Sequence, residues 1–176
     1  MKKIILIGVT GSGKSTLAKK LSRKLNCEYI SLDQLFWKAN WGESSDEELF
    51  VKVEAATQGD SWIVDGNYTR TNFITWAKAD TVIWIDLPLY KTFYQNFTRS
   101  LKRAVTQEEL WPNTGNRESL RRMFSQDSIL LWLIKTYKPY KARNIEKMKS
   151  PEYTHIKFYR LQSRREVENF YNSLET

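Results

Sequence analysis

The chain has one cysteine, one histidine, four prolines and seven glycines in 176 residues. With Cys27 alone, no disulfide can form within the chain, which suits a reducing cytosol. No apolar run approaches the roughly 20 residues of a membrane span. Lys2 and Lys3 precede Ile4 to Val9, but that run is also too short for a signal-peptide core. The expectation is a soluble cytoplasmic protein with no membrane partner. Repeats, low-complexity tracts and Pro/Gly/Ser linkers are missing too, so residues 1–176 read as one domain. Acidic residues fall short of basic ones, 20 against 28, leaving a formal charge of +8. That balance suits ATP, an anionic substrate or nucleic acid, or else a solvated basic surface. What is present is a globular composition, 41% apolar and 14% aromatic, with seven tryptophans available for packing or for stacking on a ligand.

Apolar runs alternate with amphipathic segments, the pattern of an α/β fold with a parallel sheet. Strands are expected at Lys3 to Ile7, Glu28 to Ser31, Ser61 to Val64, Thr81 to Ile85 and Ile156 to Leu161. Helices are expected over Lys14 to Leu25, from Ser45 onward, over Thr71 to Lys78 and after Pro88, where Phe93, Phe97 and Leu101 share a face. A further helix over Glu118 to Tyr137 carries Leu120, Phe124, Leu131 and Ile134. A closing helix carries Val167, Phe170, Tyr171 and Leu174. Ser45 with Glu48 and Ser163 with Glu166 have capping-box spacing. Glu108 to Asn116, with Pro112 and Gly115, reads as a loop, and no structure is assigned to the basic Lys138 to Tyr153 stretch.

The strongest signal is Gly8-Val9-Thr10-Gly11-Ser12-Gly13-Lys14-Ser15, which meets G-x-x-x-x-G-K-[ST] at every fixed position. It lies between an apolar strand and an amphipathic helix, the context such a loop needs. Glycines let the backbone curl so that amide N–H groups converge on phosphate oxygens, and the helix N-terminus adds its positive dipole end. Lys14 suits the β- and γ-phosphates, and the Ser15 hydroxyl suits Mg²⁺. The motif implies a nucleotide and does not name the reaction.

Three aspartates follow strands, where open α/β sheets bind ligands. Asp33 is the candidate to accept a proton from an acceptor hydroxyl, or it caps the Gln34–Trp37 segment. Asp65 and Asp86 both suit Mg²⁺; Asp65 is preferred because Gly66 permits close approach, and Asp86 can instead close a strand-end turn. Arg99 and Arg103, one helical turn apart, can stabilise a transferring phosphoryl group or form a solvated helix face. Arg70, Arg143 and the Arg121–Arg122 pair are weaker candidates of the same type, and His155 has no evident partner.

Gly8 to Thr16, Leu32-Asp33-Gln34-Leu35-Phe36-Trp37, Trp62 to Tyr68 and Val82 to Pro88 together resemble the adenylate-kinase-like branch of P-loop nucleoside and nucleotide kinases. Within it, the chain is most similar to small bacterial proteins labelled DNA topology modulation proteins. The resemblance implies a three-layer α/β/α P-loop NTPase fold, a five-stranded parallel sheet of order 2-3-1-4-5, and a helical lid over about residues 90–150. It implies that Asp65-Gly66 lies near Mg²⁺ and that Arg99 and Arg103 open the lid, one against adenine and one on phosphate. It also puts the loop after the last strand, with Gln162, against adenine. An arginine contacting substrate phosphate is expected close to Arg70, which stands one residue late. The Asp-Gly-Phe-Pro-Arg run of adenylate kinases is replaced at Asn67-Tyr68-Thr69, and the second strand lacks Thr-Gly-Asp, which argues against AMP as acceptor. The chain has no Asn-Lys-x-Asp guanine signature.

The leading expectation is an ATP·Mg²⁺-dependent kinase of a small molecule. Gly8, Thr10, Gly11, Ser12, Gly13, Lys14, Ser15 and Thr16 would hold the nucleotide. Lys14, Asp33, Arg99 and Arg103 would be catalytic, and Ser15 with Asp65 would serve the metal. The acceptor would meet Asp33, Trp37, Asn67, Tyr68, Arg70 and Arg143. The alternative is a nucleotide-dependent DNA-binding regulator with little or no kinase activity.

Overall fold

A computed structural model of the chain describes residues 1–123, 125 and 128–174. Five strands, β1 (Lys3–Gly8), β2 (Glu28–Ser31), β3 (Trp62–Asp65), β4 (Thr81–Ile85) and β5 (Lys157–Leu161), form one all-parallel sheet of order β2-β3-β1-β4-β5. The order expected from the resemblance is the order found. Alternation along each strand sends neighbouring side chains to opposite faces. Ile5, Ile7, Val64, Val82 and Trp84 enter one apolar layer, while Ile4, Leu6, Ile63, Ile83 and Ile85 enter the other.

Helices cover both faces. α1 (Lys14–Leu25) buries Leu17, Ala18 and Leu21 in the second layer, beside Phe170 of the closing helix α8 (Arg164–Ser173). The short α2 (Leu32–Phe36), α3 (Asp46–Ala56) and α4 (Asn72–Lys78) cover the first layer. Between β4 and β5 lie α5 (Leu89–Thr106), α6 (Leu120–Met123) and α7 (Ile129–Lys149). The Ser45–Glu48 capping box at α3 forms in both directions. At α8, Ser163 accepts from the Glu166 N–H, but the Glu166 carboxylate accepts from the Gln162 N–H and the Ser163 hydroxyl.

The expected helix over 118–137 is divided. α6 stops at Met123, and α7 starts afresh behind Ser128, whose hydroxyl accepts from the Leu130 N–H at 3.2 Å. Phe124, assigned to its apolar face, lies outside the described residues. α7 then continues through Pro139 into the stretch left unassigned. Leu133 is buried before the proline, Tyr140 and Asn144 after it, so core packing on both sides outweighs the hydrogen bond that proline removes. Among the described residues, no helix is long and apolar enough to cross a membrane.

Candidate active site around the phosphate loop

The turn from β1 into α1 exposes the amides of a helix start that is not otherwise occupied. Gly13 is the N-cap, with no side-chain capping bond among the described residues, and the first turn holds no acidic residue. Its backbone N–H groups and dipole are therefore available to an anion. Gly11 and Gly13 have φ of 78° and 96°, a region L-residues rarely enter, and this shapes the curl. Ser12 N–H donates to Val9 O at 3.1 Å within the turn.

Four charged groups converge beside the curl. Burial pushes the half-buried Lys14 ammonium's pKa down; the carboxylates of Asp65 and Asp33 oppose that shift, and Arg99 adds to it. Asp65, at the end of β3, is buried and accepts from the Tyr29 hydroxyl at 3.1 Å. Burial and then the Asp65 charge raise the Tyr29 pKa, so the phenol remains a neutral donor. Asp33 has a solvent-facing tip, yet the poorly hydrated surroundings raise its pKa. A 2.8 Å hydrogen bond from Tyr68 and the Lys14 charge partly offset that rise. Asp33 sits inside α2, and the cap of that helix is Ser31, so the capping alternative for Asp33 is corrected.

Arg99, on α5, folds onto the loop, donating to Thr10 Oγ1 at 3.0 Å and Asn96 Oδ1 at 2.7 Å. Burial and Arg103, one turn on, lower its pKa to about 10, which leaves it a cation at neutral pH. Ser15 and Thr16 are exposed in the first turn of α1. Gln162 is exposed just past β5, at the sheet end from which the loop emerges.

Other expected site residues have different partners. Asn67 is turned to the loop: its Nδ2 donates to Gly8 O at 2.6 Å, and its Oδ1 accepts from Gly8 N–H at 3.3 Å and Tyr140 hydroxyl at 2.9 Å. That amide braces the loop and is not free for an acceptor. Arg70 pairs with Asp46 at 2.6 Å and lies over the Phe36 ring, 4.7 Å from its centroid. Asp86 is buried against Arg160, at 2.5 Å, and Lys141, at 3.2 Å. It ties β4 to β5 and α7, replacing the expected turn-closing role. Trp37 stacks on Trp111 with centroids 5.4 Å apart at 16°, and Trp41 meets both edge-on. Asn116, buried beneath them, accepts from the Trp41 N–H at 2.8 Å and donates to Lys38 O at 2.8 Å. The segment after β2 is thereby joined to the loop after α5. Arg143 is exposed on α7 beside the Tyr140 ring, Arg121 is exposed on α6, and the Arg122 side chain lies outside the described residues. His155 contacts Trp76 O at 3.2 Å, a partner the sequence did not indicate. Sequence reading missed Asn96, since a polar residue among apolar helix positions gives no signal until the loop packs on it.

A family model described as an AAA domain matches residues 4–87. A shikimate kinase of Corynebacterium glutamicum is 25% identical over 173 residues, covering 91% of this chain and 86% of that protein. A shikimate kinase of Sulfurihydrogenibium sp. is 32% identical over 106 residues, 51% of this chain and 63% of that one. A putative adenylate kinase of Pyrococcus furiosus is 34% identical over 74 residues, 38% and 41% of the two chains. Among solved structures, shikimate kinase from Bacteroides thetaiotaomicron aligns with a TM-score of 0.51 at 17% identity, covering 96% of this chain and 93% of that one. The fold is that of the P-loop kinases. In that three-layer α/β/α arrangement the loop emerges from the central strand, between β3 with Asp65 and β4 with Asp86. At these identities the relatives support a kinase-type phosphotransferase of nucleotides or small molecules, with the acceptor open.

Proposed function

We propose that the chain transfers the terminal phosphoryl group of ATP to a hydroxyl of a small molecule. One observation carries this reading: an uncapped helix start whose first residue, Lys14, is close enough to Asp65, Asp33 and Arg99 to feel the charge of each. The site fits ATP·Mg²⁺ on its own chemistry. The buried Ser12 Oγ in the turn lacks a partner among the described residues, and the exposed Ser15 hydroxyl follows Lys14. Among the described residues no cluster of three or more His, Cys, Asp or Glu could hold a metal alone. This suits Mg²⁺, which shares its ligands with phosphates and water.

Gly8 to Thr16 would hold the phosphates, with Ser15 and Asp65 serving the metal and Tyr29 keeping Asp65 oriented. Bound Mg²⁺ would supply charge neutralisation at the phosphates. Lys14, Arg99 and Arg103 would offset charge on the transferring group. Asp33 would take the acceptor's hydroxyl proton, with the Tyr68 phenol fixing its orientation; its raised pKa brings its basicity closer to the task. Residues 90–150 would act as a lid over a single domain of residues 1–176, with Gln162 near the base. Trp37, Tyr68 and the charged groups of Arg70 and Arg143 would border the acceptor. A cytoplasmic location accords with the lone Cys27, which is buried.

A coupled ADP-release assay across nucleosides, nucleotides, sugars and small hydroxyl compounds tests this, with wild type beside Lys14→Ala. Acceptor-stimulated turnover that Lys14→Ala abolishes is expected. Turnover indifferent to every acceptor, or unaffected by Lys14→Ala, would overturn the reading.

A further inference from the structure

Asn96 sits in the middle of α5 with 0% of its surface exposed, and the sequence pattern assigns it no role. It lies against the phosphate loop. A Cβ placed on Gly11 would stand 2.5 Å from Thr92 O and 2.9 Å from Asn96 Cβ, so α5 rests on the loop backbone where a side chain is missing. Three hydrogen bonds close a ring at this contact. Arg99 Nη2 donates to Asn96 Oδ1 at 2.7 Å and to Thr10 Oγ1 at 3.0 Å, and the Thr10 hydroxyl donates to Asn96 Oδ1 at 3.3 Å. The Asn96 Nδ2 is buried with no partner among the described residues. Keeping a buried amide with an unused donor is costly, so the acceptor end of that amide must return something.

We infer that Asn96 is a positioning residue that holds the Arg99 guanidinium against the phosphate loop, ready for the nucleotide's phosphates. The inference rests on the kinase reading, because Arg99 has that task only if a nucleotide binds there. An arginine on a helix surface carries a long mobile stem; two acceptors on separate, packed elements confine its planar head to one place. The acceptor on α5 is a neutral amide. An aspartate of the same shape would accept the same bonds but would neutralise Arg99 and set a negative charge beside the phosphates. The amide therefore fixes the cation's direction and leaves its charge for the ligand.

The test is a double-mutant cycle on Mg·ADP binding by titration calorimetry, using wild type, Asn96→Ala, Arg99→Ala and the double variant, with Asn96→Asp alongside. Asn96→Ala should weaken binding about tenfold, within the coupling found between residues in direct contact. In the Arg99→Ala background the same change should alter binding by less than about twofold. Asn96→Asp should also bind more weakly than wild type despite retaining its shape. Arginine side-chain ¹⁵N NMR of wild type, which requires no variant to fold, should show one Arg99 guanidinium with slowed Cζ–Nε rotation. Additive losses in the cycle, wild-type affinity in Asn96→Asp, or a freely rotating Arg99 would each overturn the inference. Wild type that binds no Mg·ADP while its Arg99 guanidinium is held would instead refute the kinase reading and leave the positioning geometry standing.

Discussion

Gly11 and Gly13 share a left-handed backbone but have opposite surroundings, so replacing each with alanine separates conformational strain from packing at the loop. An alanine in this region costs about 1–2 kcal/mol for its Cβ. At Gly13 that is the whole effect, because no atom beyond its immediate chain neighbours lies within 4 Å of the Cβ position. At Gly11 the Cβ meets the Thr92 carbonyl at 2.5 Å and Asn96 Cβ at 2.9 Å. Thr92 O is helix backbone and cannot swing aside, so the loop and α5 must separate, adding about 1–3 kcal/mol of overpacking. Gly11→Ala should therefore lose about 2–5 kcal/mol against about 1–2 for Gly13→Ala. In urea, with a slope of about 2 kcal/mol per molar, the Gly11→Ala midpoint should fall further by roughly 0.5–1.5 M. The assay is equilibrium unfolding followed by far-ultraviolet circular dichroism, without nucleotide. Equal midpoint shifts for the two variants would refute the seating of α5 on the loop at Gly11, and with it the contact through which Asn96 and Arg99 reach Thr10.

Asp33→Asn should melt at a higher temperature than wild type near neutral pH. The folded-state pKa of Asp33 is raised, so its ionised form destabilises the fold above that pKa and the cost is relieved as pH falls through it. The gain should accordingly fade toward about pH 4, while the wild-type rate profile should show an acid limb above the ordinary carboxylate range that the Asp33→Asn variant lacks; melting curves and rates across pH check both. Asn67→Ala removes the amide that meets Gly8 N–H, Gly8 O and the Tyr140 hydroxyl and should cost about 3 kcal/mol in urea unfolding, against about 1 for Tyr140→Phe. Similar losses for the two would show that the Gly8 clasp carries little.

The elements readable in the sequence are those whose signal is local. The G-x-x-x-x-G-K-[ST] spacing, the short apolar runs of five strands and the Ser45–Glu48 cap each depend on residues a few positions apart, and each appears within a residue of where it is expected. The strand order came from resemblance. The stretch with no local assignment was settled by packing: α7 runs on through Pro139, with Leu133 and Tyr140 buried on either side of it. A run that reads as one helix over 118–137 divides where Ser128 offers a new cap.

By itself the sequence determined that a phosphate-binding loop joins a buried strand to a helix, because that chemistry is written in contiguous residues whose backbone geometry follows from their type. Only the tertiary structure decided which distant side chains serve it. Asn67 and Asn96 look like ordinary polar positions, and they become loop supports because β3 and α5 bring them to Gly8 and Thr10. Asp65 and Asp86 are alike in sequence, yet one faces Tyr29 and the Lys14 charge while the other is neutralised by Arg160 and Lys141. Hydrogen bonds and ion pairs between residues far apart in the chain have no periodicity to read, so their partners exist only once the sheet and its covering helices are assembled.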